Sequence, residues 1–227
     1  MITRLRVLGI ALAVIGLGVI AAGGFAFLQT QEGYRALNAF SAAQNVTLAY
    51  NDQGQLVDRG DAEEGQAILS LLKNDWGYPV VDSELNPNDP VVNTASEYMV
   101  QMATIAYHTL HSTVTVTVPA DVEYNGKLYK AGDYEVAANG RYWTGFDRSD
   151  PIDGPARAAI WSDTAHALIG ELGVGTTTAS ALQLGLGLAA LFAGVGATFL
   201  FAGAGLAWAT RPEKVAVPEF RPAALPA

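Results

Sequence analysis

Two long uncharged stretches frame the chain, and between them apolar and polar residues alternate on short periods. Val7 to Leu28 runs for 22 residues without a charge. At about 1.5 Å of helical rise per residue it covers roughly 33 Å, enough for a hydrocarbon core of about 30 Å. A cleaved signal peptide would have a shorter apolar region ending in small residues, whereas this run ends in the bulky Phe25-Ala-Phe-Leu-Gln29. An uncleaved anchor is expected. The second stretch is apolar from Ala179 to Trp208, with Trp208 at an interfacial position and Arg211, Lys214 and Arg221 beyond it.

The segment between has the periods of a mixed α+β domain. Tyr34, Leu37, Phe40 and Ala43, spaced by three, predict that the first helix continues past the anchor. Val46 to Tyr50, then Asn51-Asp-Gln-Gly54, then Leu56 and Val57 predict a short hairpin. Asp61-Ala-Glu-Glu64 opens a helix with Ile68, Leu71 and Leu72 inward. Asp89 as N-cap with Pro90 at the first turn predicts a longer helix to about His111. Thr113 to Val118 alternates strictly, and Asn125-Gly126 and Asn139-Gly140 follow, so a β-meander is expected from about 113 to 143. Pro155 to Leu168 reads as a helix running toward the second span. The expected division is a tail over 1–6, spans over 7–28 and 176–209, an outer α+β domain over 29–175 and a Pro-rich tail over 210–227.

Glycine inside the spans is patterned. Gly9, Gly16 and Gly23 repeat every seven residues, as do Gly173, Ser180, Gly187 and Gly194, with Gly196 and Gly203 a further pair. Glycine disfavours helix, so a heptad row of it implies close backbone approach between helices crossing at about +20°. Gly9, Gly16, Gly23, Gly187, Gly194, Gly196 and Gly203 are therefore the candidate packing residues, and a second row leaves room for another protein's helix.

Charge sets the orientation. Of 13 basic residues the outer segment holds 8, and of 22 acidic residues it holds 20, a net of −12. Basic residues flank both outer edges of the spanning pair, which places both termini in the cytoplasm and the central domain outside the plasma membrane. A net charge of −9 argues against nucleic acid, and the absence of cysteine excludes disulfides, thiolate zinc sites and a thiol nucleophile.

Few residues suggest chemistry. His108 and His111 share a helix face with Glu97, but a metal site needs further ligands; half-buried helix-end residues are the plainer reading, and no metal or cofactor is assigned. Asp147, Asp150 and Asp153 form an acidic loop, as do Asp82, Glu84 and Asp89, and both are read as turn chemistry rather than Ca²⁺ ligation. Tyr124, Tyr129, Tyr142 and Trp143 crowd the strand region, where aromatics either bind a sugar or partner or cover the core. Asn45-Val-Thr47 is a glycosylation sequon, and there is no G-x-S-x-G, P-loop or dinucleotide fingerprint.

A Gly-rich first anchor, the segment Gly140 to Asp150 with Asp147-Arg-Ser-Asp-Pro151, and Ala165-His-Ala-Leu-Ile169 leading into a Gly-rich second anchor resemble two-span envelope proteins of actinobacteria without established function. Some of those carry the label of aromatic ring-opening dioxygenases, which implies an iron held by His and carboxylate ligands. The residues here show no such constellation. The sequence thus leads to a non-catalytic accessory or scaffolding subunit of a larger membrane complex, with lipid bilayer and other membrane subunits as partners. An outer binding module for an envelope glycan or lipid is the alternative, and a metal-dependent enzyme the third reading; no particular small-molecule ligand is indicated.

Overall fold

The computed structural model describes residues 2–211, so Pro212 and the rest of the Pro-rich tail, with Lys214 and Arg221, lie outside the described residues. The chain divides into two compact units, one of residues 31–183 and one of the helical stretches up to Thr30 and from Leu184. The boundary between the units falls within the closing helix, after Gln183.

Helix α1 (Ile2–Gln44) and helix α5 (Asp163–Ala209) are both long and apolar enough to cross a membrane. Their large side chains point outward: Val7, Val14, Phe25, Leu28, Leu184 and Phe201 are all exposed. Water would solvate such a surface poorly, whereas lipid tails match it. The two stretches pack antiparallel, since Gly9 lies against Gly203, Gly16 against Gly196 and Leu200, and Gly23 against Ala189 and Ala193.

In the unit of residues 31–183, strand β1 (Ala49–Tyr50) pairs antiparallel with β2 (Leu56–Val57). Asn51 Oδ1 accepts from the backbone N–H groups of Gln53 and Gln55, closing the turn. Helix α2 (Ala62–Ser70) is capped by Asp61, whose carboxylate accepts from Glu63 and Glu64 N–H, and it widens into a π turn over Leu71–Asp75.

Helix α3 (Ala95–Leu110) starts later than the sequence predicts. Pro90 and Val91 are drawn into extended pairing instead, because Leu48 N–H donates to Pro90 O and Val92 N–H donates to Val46 O. The cap is Thr94, in a reciprocal box with Glu97. Asp89 stands in a turn bridged to Asn86.

The expected meander is replaced by two nested ladders. Strand β3 (Thr113–Val118) pairs over its whole length with the last strand, β6 (Gly132–Ala137), and β4 (Val122–Tyr124) with β5 (Lys127–Tyr129) form a separate hairpin between them. Asn125 and Gly126 supply the two positive φ angles, 52° and 77°, that a two-residue primed turn needs. Asn139-Gly140 joins no strand pair; it ends β6, and Gly140 N–H donates to Leu110 O. Helix α4 (Asp153–Ile160) stops at Trp161, and α5 begins afresh at Asp163, so the predicted 155–168 helix is two helices.

Helix α3 serves both apolar clusters of this unit. Tyr98, Val100 and Ala103 pack with Leu37, Ile68 and Leu72; Ala106 and Leu110 pack with Val116, Phe146, Ile160 and Trp161.

Candidate functional site

The glycine candidates separate by face. A Cβ on Gly9 would sit 2.7 Å from Gly203 O, on Gly16 2.6 Å from Gly196 O, on Gly23 2.9 Å from Ala189 O, and on Gly196 2.7 Å from Gly16 O. Backbone atoms occupy those places, so no side chain fits without moving a helix. Gly187 and Gly194 differ, since nothing lies within 4 Å of either. They stand two residues from Ala189 and Gly196, about 200° around the helix, and so face away from α1. The row on α5 that meets α1 is Ala189, Gly196 and Gly203, not the Gly173-to-Gly194 heptad.

The metal candidates are not gathered. Glu97 Oε2 accepts from Asn93 N–H, Thr94 N–H and the Thr94 hydroxyl, at 3.0, 2.9 and 2.9 Å. Burial pushes its carboxyl above the ordinary range, against the pull of those hydrogen bonds. His108, eleven residues and about 16 Å of helix rise away, has Nε2 2.8 Å from Asp58 Oδ2. That buried oxygen has no other donor, so a bond forms there only when Nε2 carries the proton. His111 Nδ1 lies 2.8 Å from Tyr107 O. Among the described residues no three His, Asp or Glu side chains converge on one point.

The four aromatic candidates fall into two places. Tyr124 and Tyr129, on the β4–β5 hairpin, donate their hydroxyls to Asp147 and Asp150. That bond raises the Tyr129 phenol. Burial works to raise Asp150, but hydrogen bonds from Tyr129 and from Asp153 and Ile152 N–H outweigh it and hold the carboxyl low. Asp153 pairs with Arg141 at 3.0 Å. The acidic loop thus uses its carboxylates to tie the hairpin, Arg141 and the start of α4 together. Tyr142 stacks on Trp161 at 5.8 Å and accepts from Trp76 Nε1, while the Arg157 guanidinium lies 3.3 Å over the Trp143 ring. Trp143 therefore has one face covered, and Tyr129 is buried at 6% exposure, so the four form no common platform.

A pocket of about 460 Å³ is the feature the sequence did not reveal. The last turns of α1 supply Leu37, Phe40, Ser41 and Gln44; α3 supplies Tyr98, Gln101 and Ile105; the first turns of α5 supply Leu168, Glu171, Leu172, Val174, Gly175 and Thr178, with Val46 and Val92 completing the wall. The Tyr98 ring lies directly on Gly175, where a Cβ would come within 2.5 Å of it, and its hydroxyl shares a 2.9 Å hydrogen bond with Ser41. The polar atoms of the buried Tyr98 and Ser41 are thereby used on each other, and the remaining lining is mainly apolar. Phe40, Val46, Leu168 and Val174 line it while standing 49%, 38%, 39% and 67% exposed. Glu171 is the single acidic or basic residue of the lining.

Comparison of the sequence with protein-family models and with curated proteins, and of the fold with solved structures, found no match. The chemistry of the site therefore rests on the chain's own geometry. A cavity of this size lies within the usual range for small-molecule sites, about 300–1,000 Å³, and such sites are mostly apolar with a few polar groups.

Proposed function

We propose that the protein is a two-span membrane protein whose outer domain binds an apolar ligand in the pocket between α1, α3 and α5. The observation that carries this reading is the pocket's exposed apolar mouth. Large apolar side chains left in water are unfavourable, and a continuous group of them around a cavity marks a binding site. Phe40, Val46, Leu168 and Val174 form such a group. The reading includes the orientation inferred from charge, with both termini cytoplasmic and the domain outside the plasma membrane. It keeps the envelope setting of the actinobacterial resemblance, and it assigns no reaction.

The accessory-subunit reading stands second. It drew on the glycine rows, but Gly9, Gly16, Gly23, Gly196 and Gly203 are engaged within this chain. Of the candidate glycines Gly187 and Gly194 are left open, as are Gly18, Gly24 and Gly205, and small residues facing lipid need no partner. The glycan reading rested on an aromatic platform, and the aromatics pack on their own neighbours. Metal chemistry at Glu97, His108 and His111 has no shared geometry to support it.

Equilibrium binding of radiolabelled 1-dodecanol to the full chain in amphipol tests the pocket. Saturable binding is expected, weakened about tenfold or more in Val174→Trp, which plugs the mouth from an exposed position, and unchanged in Leu128→Trp on the distant hairpin. Non-saturable uptake, or equal binding by all three proteins, would overturn the reading.

A further inference from the structure

We infer that the occupant of this pocket is a single acyl chain of a membrane lipid whose headgroup carries no net negative charge. The inference rests on the pocket reading above and adds the ligand's class.

The chain is argued from the walls. Helix α5 carries no charged residue from Leu172 to Thr210, and the pocket-lining Leu172, Val174, Gly175 and Thr178 begin that uncharged run. The lining residues thus belong to the same helix that is long and apolar enough to cross a membrane. A flexible acyl chain is matched in chemistry both by the apolar lining and by the uncharged run of that helix. The lining also lacks any unsatisfied buried donor or acceptor that would demand a polar ligand core, since Tyr98 and Ser41 bond to each other.

The headgroup is argued from the rim. Glu171 is exposed and is the lining's single charged side chain, within an outer segment of net charge −12. A fatty-acid carboxylate or a phosphatidate at that rim would meet a like charge and an unfavourable surrounding field. A hydroxyl or ester headgroup meets instead the amides of Gln44 and Gln101 and the hydroxyl of Thr178, which both donate and accept. The rim thus selects headgroups while the walls select chains.

Photolabelling tests both parts. The full chain is placed in phosphatidylcholine nanodiscs with a trace of a diazirine-tagged monoacylglycerol or a diazirine-tagged fatty acid, above neutrality so that the acid is ionised. Labelled peptides are then mapped by mass spectrometry. The monoacylglycerol is expected to label the segments around Phe40, Ile105 and Val174 about fivefold more than the fatty acid does, the scale set by one partly exposed charge pair. Glu171→Lys should reverse that preference without changing the labelling of residues 7–28. Equal labelling of the pocket by both probes, unmoved by Glu171→Lys, would overturn the headgroup selection and leave the apolar pocket standing. Labelling confined to the two spanning stretches would overturn the acyl occupant, and if 1-dodecanol binding also fails, the pocket reading falls with it.

Discussion

Glu97 shows how one residue's role is decided by what its neighbours need. Its carboxylate is 2% exposed and serves three donors at the start of α3. Glu97→Ala leaves those donors without an acceptor, and a loss of about 1–3 kcal/mol is expected in chemical or thermal unfolding. Glu97→Gln keeps an acceptor oxygen and should cost less than about 1 kcal/mol. The two variants also separate in pH. Because burial raises the folded carboxyl above its ordinary value of 4.5, the folded state holds a proton there that the unfolded state has released. Its contribution to stability is therefore fully present below 4.5 and declines as pH rises from there through the folded value. The difference in unfolding midpoint between the protein and Glu97→Gln, followed across that window, should shift in favour of the variant as pH rises. A flat difference would mean that Glu97 does not titrate as its burial dictates. From sequence, Glu97 was legible only as a member of a histidine face, because the true cap at Thr94 was masked by the stronger-looking Asp89-Pro90 signal.

At the scale of elements, local chemistry was readable and pairing was not. The buried row on α1 was half visible as Gly9, Gly16 and Gly23; Thr30 and Leu37 extend it at the same seven-residue interval, and both are buried. A seven-residue repeat is what a left-handed pair of helices imposes. On α5 two glycine rows compete, and no local property distinguishes the one that meets α1. The test is a pair of variants two residues apart. Gly196→Leu must displace the backbone around Gly16 and Ile20, and a loss above about 2 kcal/mol is expected. Gly194→Leu points into open space and should stay within about 0.5 kcal/mol. Unfolding of the full chain in detergent reads both, and equal losses would contradict the packing. The strand region taught the same distinction. Asn125-Gly126 correctly marked a reversal of the chain, since its backbone angles are a local matter. That β3 would pass over its neighbour to pair with β6 is a long-range choice that no dipeptide encodes.

At the scale of the whole molecule, the sequence already showed two apolar stretches enclosing a mixed domain, because hydropathy over some twenty residues needs no tertiary information. The pocket was not legible for the opposite reason. Its wall is assembled from residues as far apart as Leu37 and Thr178, and its floor depends on Tyr98 settling against Gly175. Phe40 and Leu168 looked like ordinary members of apolar periods, and only their exposure in the folded chain sets them apart. Had exposure been foreseen, the apolar residues bordering the two anchors would have been the signal.

The most direct test of the account places a single cysteine at Val174, which the cysteine-free chain allows without interference. Intact cells are treated with a membrane-impermeant maleimide, with and without added monooleoylglycerol. The account predicts that Val174→Cys is labelled from outside, and that the lipid slows this labelling several-fold while leaving Leu128→Cys unaffected. A cysteine at Val174 that reacts only after the membrane is permeabilised, or at a rate indifferent to the lipid, would contradict an outer domain holding an acyl chain.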